Sequence, residues 1–401
     1  MPARFPWPVV ATAALILLIT MGARQTIGLF VAPLDAATGL GIVSISLAIA
    51  IGQFVWGLAQ PVFGAFADRF GPGRVIAFGG IMLAAGTAMT PFVHSEWALV
   101  AVLGILSAFG AGAGSLSILI GSVMQRLPGE RRSFAAGIIN AGGSLGQFVF
   151  APLVQAAILG FGWVSAMLGV AGATLLTLPL AFAMRRRDGS AATAAHAAAD
   201  SLGRQLKTAA ADPSYWLLHL GFFTCGFHVA FLVTHLPGEV RLCGLSPVIG
   251  ANSLAIIGLA NVAGSLGVGW LGTRYRLKHL LSAVYAIRAL AILLFMMAPK
   301  SATTFYLFAL ALGVTWLATL PPTTGIVGKL FGTRYLATLI GLTLFTHQLG
   351  AFYGAWLGGV AVARLGNYDG MFFADAALAV FAALINLPIR EAPVARAAAA
   401  A

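Results

Sequence analysis

Residues Gly64–Arg74 read GAFADRFGPGR and lie between two long apolar stretches. Three glycines and three charged side chains crowd into this short segment. Glycine permits a sharp chain reversal and close helix approach. Asp68, Arg69 and Arg74 can pair across the turn and cap helix ends. The stretch therefore predicts a tight connection between two helices that cross a membrane.

The composition around it agrees. Of 401 residues 60% are hydrophobic and 8% are charged, with a mean hydropathy of +0.94. Soluble domains carry about 25% charged residues. Roughly 20 apolar residues span a bilayer core as a helix. Twelve such segments stand near 9–33, 43–67, 75–92, 97–125, 133–159, 163–184, 214–240, 247–272, 279–298, 302–328, 335–363 and 371–388. They are long, continuous and rich in Gly and Ala, unlike the ~10-residue alternating strands of a membrane barrel. The expected fold is an all-α membrane protein.

The net charge of +12 is a topology signal. Eighteen of the 23 Lys and Arg fall on the side of the N-terminus; Arg241, Lys300 and Arg364 fall on the other, and Arg24 and Arg288 lie within segments. The positive-inside rule then places both termini in the cytoplasm, with no part for nucleic acid. The first apolar run is too long for a signal-peptide core and lacks a clear cleavage site. Cys225 and Cys243 form no disulfide framework.

Residues 185–212 are the longest polar stretch. They divide the chain into an N-terminal bundle (1–184), a cytoplasmic linker (185–212), a C-terminal bundle (213–390) and a cytoplasmic tail (391–401). Residues 201–211 read either as an amphipathic helix on the membrane face or as a flexible linker. The two halves repeat one another. GWLGTRYRLK after helix 8 echoes GAFADRFGPGR, with Arg274 matching Arg69 and Thr273 in place of Asp68. Gly137 and Gly341, and Gly146 and Gly350, share an offset of 204 residues.

Ionisable groups inside spans are costly and mark function. Arg24 stands roughly 22 Å and Arg288 roughly 15 Å from the termini side at 1.5 Å per residue. The carboxylates all read as loop or span-end residues, with Asp35 and Asp375 toward the far side, so neither arginine has a mid-membrane partner. An anionic ligand is then the natural counter-ion, and guanidinium matches a carboxylate bidentately. The competing role for Arg24 is bonding helix-end carbonyls or Asp35, and for Arg288 it is anchoring. His228 and His235 of helix 7 share a face, and His347 stands mid-helix 11 beside Gln348; each reads as a proton carrier or as an interhelical bond. Gln53, Trp56 and Gln60 of helix 2, Asn140, Ser144 and Gln147 of helix 5, and Trp316, Thr319 and Thr323 of helix 10 mark cavity faces or helix glue. Pro321-Pro322 breaks or kinks helix 10. No nucleotide loop, metal cluster or catalytic triad is visible, so no cofactor and no enzyme activity is expected, and gradients supply the energy.

These residues resemble a known family. Gly64, Asp68, Arg69, Gly71 and Arg74 are similar to the G-x-x-x-D-R-x-G-R-R loop signature of the major facilitator superfamily. The resemblance implies twelve helices in two six-helix pseudo-symmetric bundles, alternating access, and a cytoplasmic gate fastened by Asp68 and Arg69, with Arg274 in the second half. Arg24, Gly28, Phe30, Pro33 and Leu34 resemble the helix 1 run of bacterial members of the monocarboxylate and oxalate/formate group. Arg132, Ala135, Gly137, Ile138, Ala141, Gly142, Ser144, Gly146 and Gln147 resemble their helix 5 run. The resemblance implies a secondary active transporter of a small organic anion, working by proton symport or anion exchange, as a monomer. Where animal monocarboxylate carriers have an Asp and an Arg in helix 8, this chain has Asn261 and Ser265. The substrate contacts expected on this reading are Arg24, Asn140, Ser144, Gln147, His228, Trp316, His347 and Gln348, with Arg288 as a second anion contact. An exporter of drugs or other small molecules is the alternative, but it needs a buried carboxylate for a cationic substrate. A non-transporting receptor needs a sizeable sensor domain.

The topology is open to direct test. A Ser201→Cys protein in intact cells should escape an impermeant thiol reagent and react once the membrane is permeabilised; efficient labelling of intact cells contradicts the orientation.

Overall fold

A computed structural model describes residues 7–124, 129–184, 199–332 and 335–393. The side chain of Asp68 and those of 129–134 lie outside the described residues, as do 185–198 and 394–401, so the expectations for Asp68, Arg132, the first half of the linker and most of the tail rest on sequence. Described residues form helices and no strands. The membrane helices are α1 (Trp7–Thr38), α2 (Ile42–Phe70), α3 (Pro72–Phe92), α4 (Glu96–Val123), α5 (Gly129–Phe161), α6 (Trp163–Ala183), α7 (Pro213–Leu242), α8 (Pro247–Leu271), α9 (Leu277–Met297), α10 (Ala302–Phe331), α11 (Leu336–Leu365) and α12 (Asp369–Ile385). A linker helix, Ala199–Ala210, precedes α7 and exposes Arg204 and Lys207, while Gln205 donates to the Phe331 carbonyl.

The segment expected to be a loop is mostly helix. α2 runs on through Phe70, and α3 begins at Pro72. Gly71 alone makes the corner, at φ +87°. The reason is local. Proline is preorganised for the first turn of a helix, where its missing N–H costs nothing, and only glycine reaches that φ without strain. Gly64 is helical with open space around its Cα, so it serves no close approach.

Two spans are broken. α1 leaves α-geometry at Thr26 and passes through a 3-10 turn, Ile27–Phe30, before resuming at Val31. Pro33 cannot donate to the carbonyl four residues back, and its ring crowds that turn. α10 unwinds over 316–319 and restarts at Leu320. The break precedes Pro321-Pro322 because both prolines fit the first turn of the new helix.

α1 packs on α5 and α7 on α11 within the two halves, while α2–α11 and α5–α8 join them. Small residues let these backbones meet. A Cβ on Gly28 would lie 2.1 Å from the Val233 carbonyl oxygen of α7, one on Gly359 2.3 Å from Ser46 Oγ of α2, and one on Gly258 2.7 Å from the Ser144 carbonyl oxygen. Gly64, Gly137, Gly267 and Gly341, nearer the end that carries the termini, meet nothing within 4 Å. The halves therefore meet closely at the level of Gly28, Gly258 and Gly359, enclose a cavity of about 500 Å³ beyond Gly28 between α1, α5, α7 and α8 at the far end, and show no such contact at the described glycines nearer the termini. At that end Arg390 pairs with Asp212, and Glu391 receives the Lys278 N–H (2.8 Å) and Lys329 Nζ (2.8 Å). Burial alone would raise the Glu391 carboxyl, but these donors hold it below its ordinary value.

Widening residue 28 should open the far end. Gly28→Ala forces α1 from α7, so a cysteine at Thr234, 1% exposed, should react several-fold faster with a maleimide above the background of Cys225 and Cys243. An unchanged rate contradicts this closure.

Candidate functional site

A chamber of about 160 Å³ lies between the halves, walled by α1, α2, α4, α5, α7, α10 and α11. A water molecule occupies ~30 Å³ of liquid, so the space suits several waters or an organic anion of a few carbons. Of the sequence-selected residues, Arg24, Asn140, Ser144, Trp316, His347 and Gln348 line it, and so do Gln53, Trp56 and Gln60.

Arg24 is the charged group in this wall. It sits two residues before the α1 break, its guanidinium 3.9 Å over the Trp56 ring, and it donates to Gln53 Oε1. Among the described residues no carboxylate is within ion-pair distance of it. Asp35, the expected alternative partner, instead accepts the Gly41 N–H (3.0 Å) in the α1–α2 turn. Trp56 Nε1 and Gln348 Oε1 are buried without a hydrogen-bond partner among the described residues. His347 Nδ1 is 3.2 Å from Gln348 Nε2, and its ring is 5.0 Å from Phe222.

Three expected contacts lie off the chamber wall. Gln147 shares a face with Asn140 and Ser144, but α8 covers it: a Cβ on Gly258 would lie 3.1 Å from Gln147 Cβ. His228 is fully buried, with Nδ1 2.6 Å from Asp375 Oδ2. Arg288 is fully buried and donates to the carbonyls of Thr315 (2.5 Å) and Trp316 (3.0 Å), which the α10 break frees. Asp375 also corrects the expectation that no carboxylate reaches the membrane interior. It is six residues into α12, and the packing of α12 on α7 brings it to the middle of that helix. It does not line the chamber, so it gives a cationic substrate no contact there.

Asn261 ties three helices together. Its Nδ2 donates to Ser144 Oγ (2.8 Å), and its Oδ1 accepts from the Leu317 N–H (3.0 Å) inside the α10 break and from Ser265 Oγ (3.1 Å). His219 is 2.6 Å from Thr346 Oγ1, and His235 bonds Tyr368 and the Ala355 carbonyl. Among the turn residues, Arg69 and Arg74 are exposed, with Arg69 5.2 Å from the Phe70 ring centroid, and Arg274 lies 4.1 Å over Trp270. The sequence reading assigned neither Cys225 nor Asp375 to a site, taking the first as a structural thiol and the second as a span-end carboxylate; a thiol one turn before a helical histidine was the available signal.

Broken helices at a midplane chamber between two six-helix halves are the construction of one transporter class, and comparison with known proteins agrees. The sequence profile of the Major Facilitator Superfamily matches residues 13–355. The chain belongs to that superfamily. It is 28% identical over 388 residues to monocarboxylate transporter 13 of Rattus norvegicus, covering 95% of this chain and 89% of that protein. It is 26% identical over 369 residues to the oxalate:formate antiporter of Oxalobacter formigenes, covering 90% and 86%. Its fold matches the crystal structure of a D-xylose-proton symporter with a TM-score of 0.77 at 14% identity, over 97% of this chain and 99% of that one. Family and fold are those of membrane transporters and not of enzymes.

The Asn261 link predicts a stability effect. Asn261→Leu strips partners from Ser144 Oγ and the Leu317 N–H, at about 1–3 kcal/mol for each buried group left unpaired. The midpoint of thermal unfolding in detergent should fall; an unchanged midpoint contradicts the link.

Proposed function

We propose that this superfamily member is a secondary active transporter of a small organic anion, a monocarboxylate or dicarboxylate of few carbons, across a bacterial inner membrane. The observation that carries the reading is Arg24: a guanidinium in the chamber wall, held by Gln53 and Trp56, with no carboxylate in reach among the described residues. A buried cation without a counter-ion is costly, and a carboxylate substrate supplies one. Trp56 Nε1 offers a further donor, while Asn140, Ser144 and Gln348 offer neutral polar contacts. His347 is the titratable neighbour in the same wall. The names of the monocarboxylate and oxalate:formate relatives support the same substrate class.

On this reading both termini are cytoplasmic, and the chamber, separated from the far-end cavity by the Gly28–Val233 contact, belongs to the inward-facing form of an alternating-access cycle. Residues 1–184 and 213–390 are the bundles that rock about it. Asp68 and Arg69 act in the opposite form, when the termini end closes. Transport is coupled to protons or to a counter-anion, and the protein works as a monomer.

The test is uptake of labelled formate, acetate, lactate and oxalate into proteoliposomes. Arg24→Lys keeps charge and loses the planar fork, so it should weaken apparent affinity. Arg24→Ala should cost on the order of 2–5 kcal/mol, as for other buried charged contacts, and nearly abolish uptake. Normal carboxylate uptake by Arg24→Ala, or wild-type transport confined to neutral or cationic compounds, overturns the reading.

A further inference from the structure

Behind the chamber, inside the second half, buried polar side chains from three helices stand together. His228 of α7 and Asp375 of α12 are both 0% exposed and share the 2.6 Å contact. The His228 ring is edge-on to Trp316, with centroids 5.5 Å apart, and Trp316 is part of the chamber wall. Arg288 of α9 is within electrostatic reach of His228. Cys225, almost one turn before His228, lies 3.7 Å from the Trp316 carbonyl oxygen, to which Arg288 also donates, and 3.4 Å from Thr319 Oγ1. Cys225 is also within electrostatic reach of His347 of the chamber wall. Trp316 of the chamber wall thus touches each part of the cluster, through its carbonyl to Cys225 and Arg288 and through its ring to the His228–Asp375 pair.

The cluster has vacant valences at its deep end. His228 Nε2, Asp375 Oδ1, and Arg288 Nε and Nη1 are buried with no hydrogen-bond partner among the described residues. With Asp375 ionised, His228 Nδ1 must carry the hydrogen it donates to Oδ2, which leaves Nε2 as a bare lone pair. Asp375 and Arg288 then cancel and the cluster is neutral. One proton added at Nε2 makes an imidazolium and a net charge of +1, while the Nδ1–H···Oδ2 bond stays as it was.

We infer that His228 Nε2 carries the proton that accompanies the anion, with Asp375 as its counter-ion and Arg288 as the fixed charge that favours its release. The inference rests on the anion-transport reading and names the coupled ion's site within it. An anion in the chamber beside Trp316 attracts the imidazolium and so raises proton affinity at Nε2. By linkage the bound proton raises anion affinity equally. When the anion leaves, Arg288 repels the uncompensated charge and Nε2 returns its proton. The titratable groups around His228 are Asp375 of α12, Arg288 and Tyr285 of α9, Cys225 of α7 itself and His347 of α11. α8 contains no ionisable residue. Of the remaining charges on helices packed against α7, Arg24 sits in the chamber, Asp35 in the last turn of α1, Asp369 and Arg364 at the far end, and Lys329 of α10 and those of α2 and the linker helix toward the termini end.

The site is read without substrate. Purified full-length protein in detergent is titrated downward from about pH 8 through and below the ordinary histidine range, which ends near pH 5, while tryptophan emission is followed. Protonation beside Trp316 should quench it in one step. The step should vanish in His228→Gln and in Trp316→Phe. In Asp375→Asn it should move to acid by about one pH unit or more, as expected when an opposite charge within ~4–6 Å is lost. A quench that survives His228→Gln, or an Asp375→Asn titration at the wild-type pH, overturns the inference. In proteoliposomes Asp375→Asn should lose uphill accumulation of labelled carboxylate driven by a pH gradient and keep substrate-for-substrate exchange. Loss of both together makes the pair structural and overturns it as well. A wild type that moves no carboxylate defeats the transport reading alone, because the emission titration still decides whether His228 takes the proton.

Discussion

A helix that stops inside a bilayer leaves N–H and C=O groups with no water to bond, and each must find a partner within the protein. This constraint shapes both sides of the chamber. At the α10 break Arg288 takes the Thr315 and Trp316 carbonyls, and Asn261 takes the Leu317 N–H. At the α1 break the Leu29 N–H returns to the Thr26 carbonyl, and Thr26 Oγ1 donates to Gly22. The breaks turn Arg24 and Trp316 toward the same space from opposite halves, and the groups that satisfy the breaks fix where that space lies. A polar chamber in an apolar bundle is thus the by-product of keeping two interrupted helices bonded.

The same contacts explain how the halves hold together. Ser144 of α5 bonds Asn261 of α8 across the midplane, and glycines at positions 28, 258 and 359 bring backbones into contact between halves. Interfaces of small residues carry little area per contact and, among the described residues, no ion pair, so they separate at modest cost. The described glycines near the termini end, Gly64, Gly137, Gly267 and Gly341, show no such contact in this form. A rocking motion then needs only to exchange one set of small-residue contacts for another.

The sequence made the fold legible because a bilayer needs long apolar segments and because charge segregates across it. It also made Arg24 legible, since a cation in mid-span stands out against any apolar helix. Depth and facing were harder to read. Asn140, Ser144 and Gln147 share one stripe, yet α8 lies over the last of them and leaves the first two to the chamber. Asp375 read as a span-end residue because α12 is short, and its partner His228 comes from a helix 147 positions away in sequence. The two prolines of α10 announced a break but not its place, because a first turn tolerates proline and moves the gap upstream. In each case the missing information was which helix packs on which, and at what height.

The anion contact proposed at Arg24 belongs to the first half, and the proton site inferred at His228 belongs to the second. That division has an electrostatic consequence. Two charges bound in the same rigid half would keep a fixed separation throughout the cycle, and their coupling would not depend on conformation. Bound in different halves, they approach and separate as the halves rock, so their attraction changes with the state of the carrier. Trp316 stands between them, on the chamber wall and edge-on to the histidine, at the helix break whose carbonyl also holds Arg288. Any motion that shifts the broken turn of α10 moves Arg288 relative to His228 and changes how strongly the proton is held. The polar groups that mend the backbone are, on this argument, the ones that let occupancy of the chamber be felt at the buried pair.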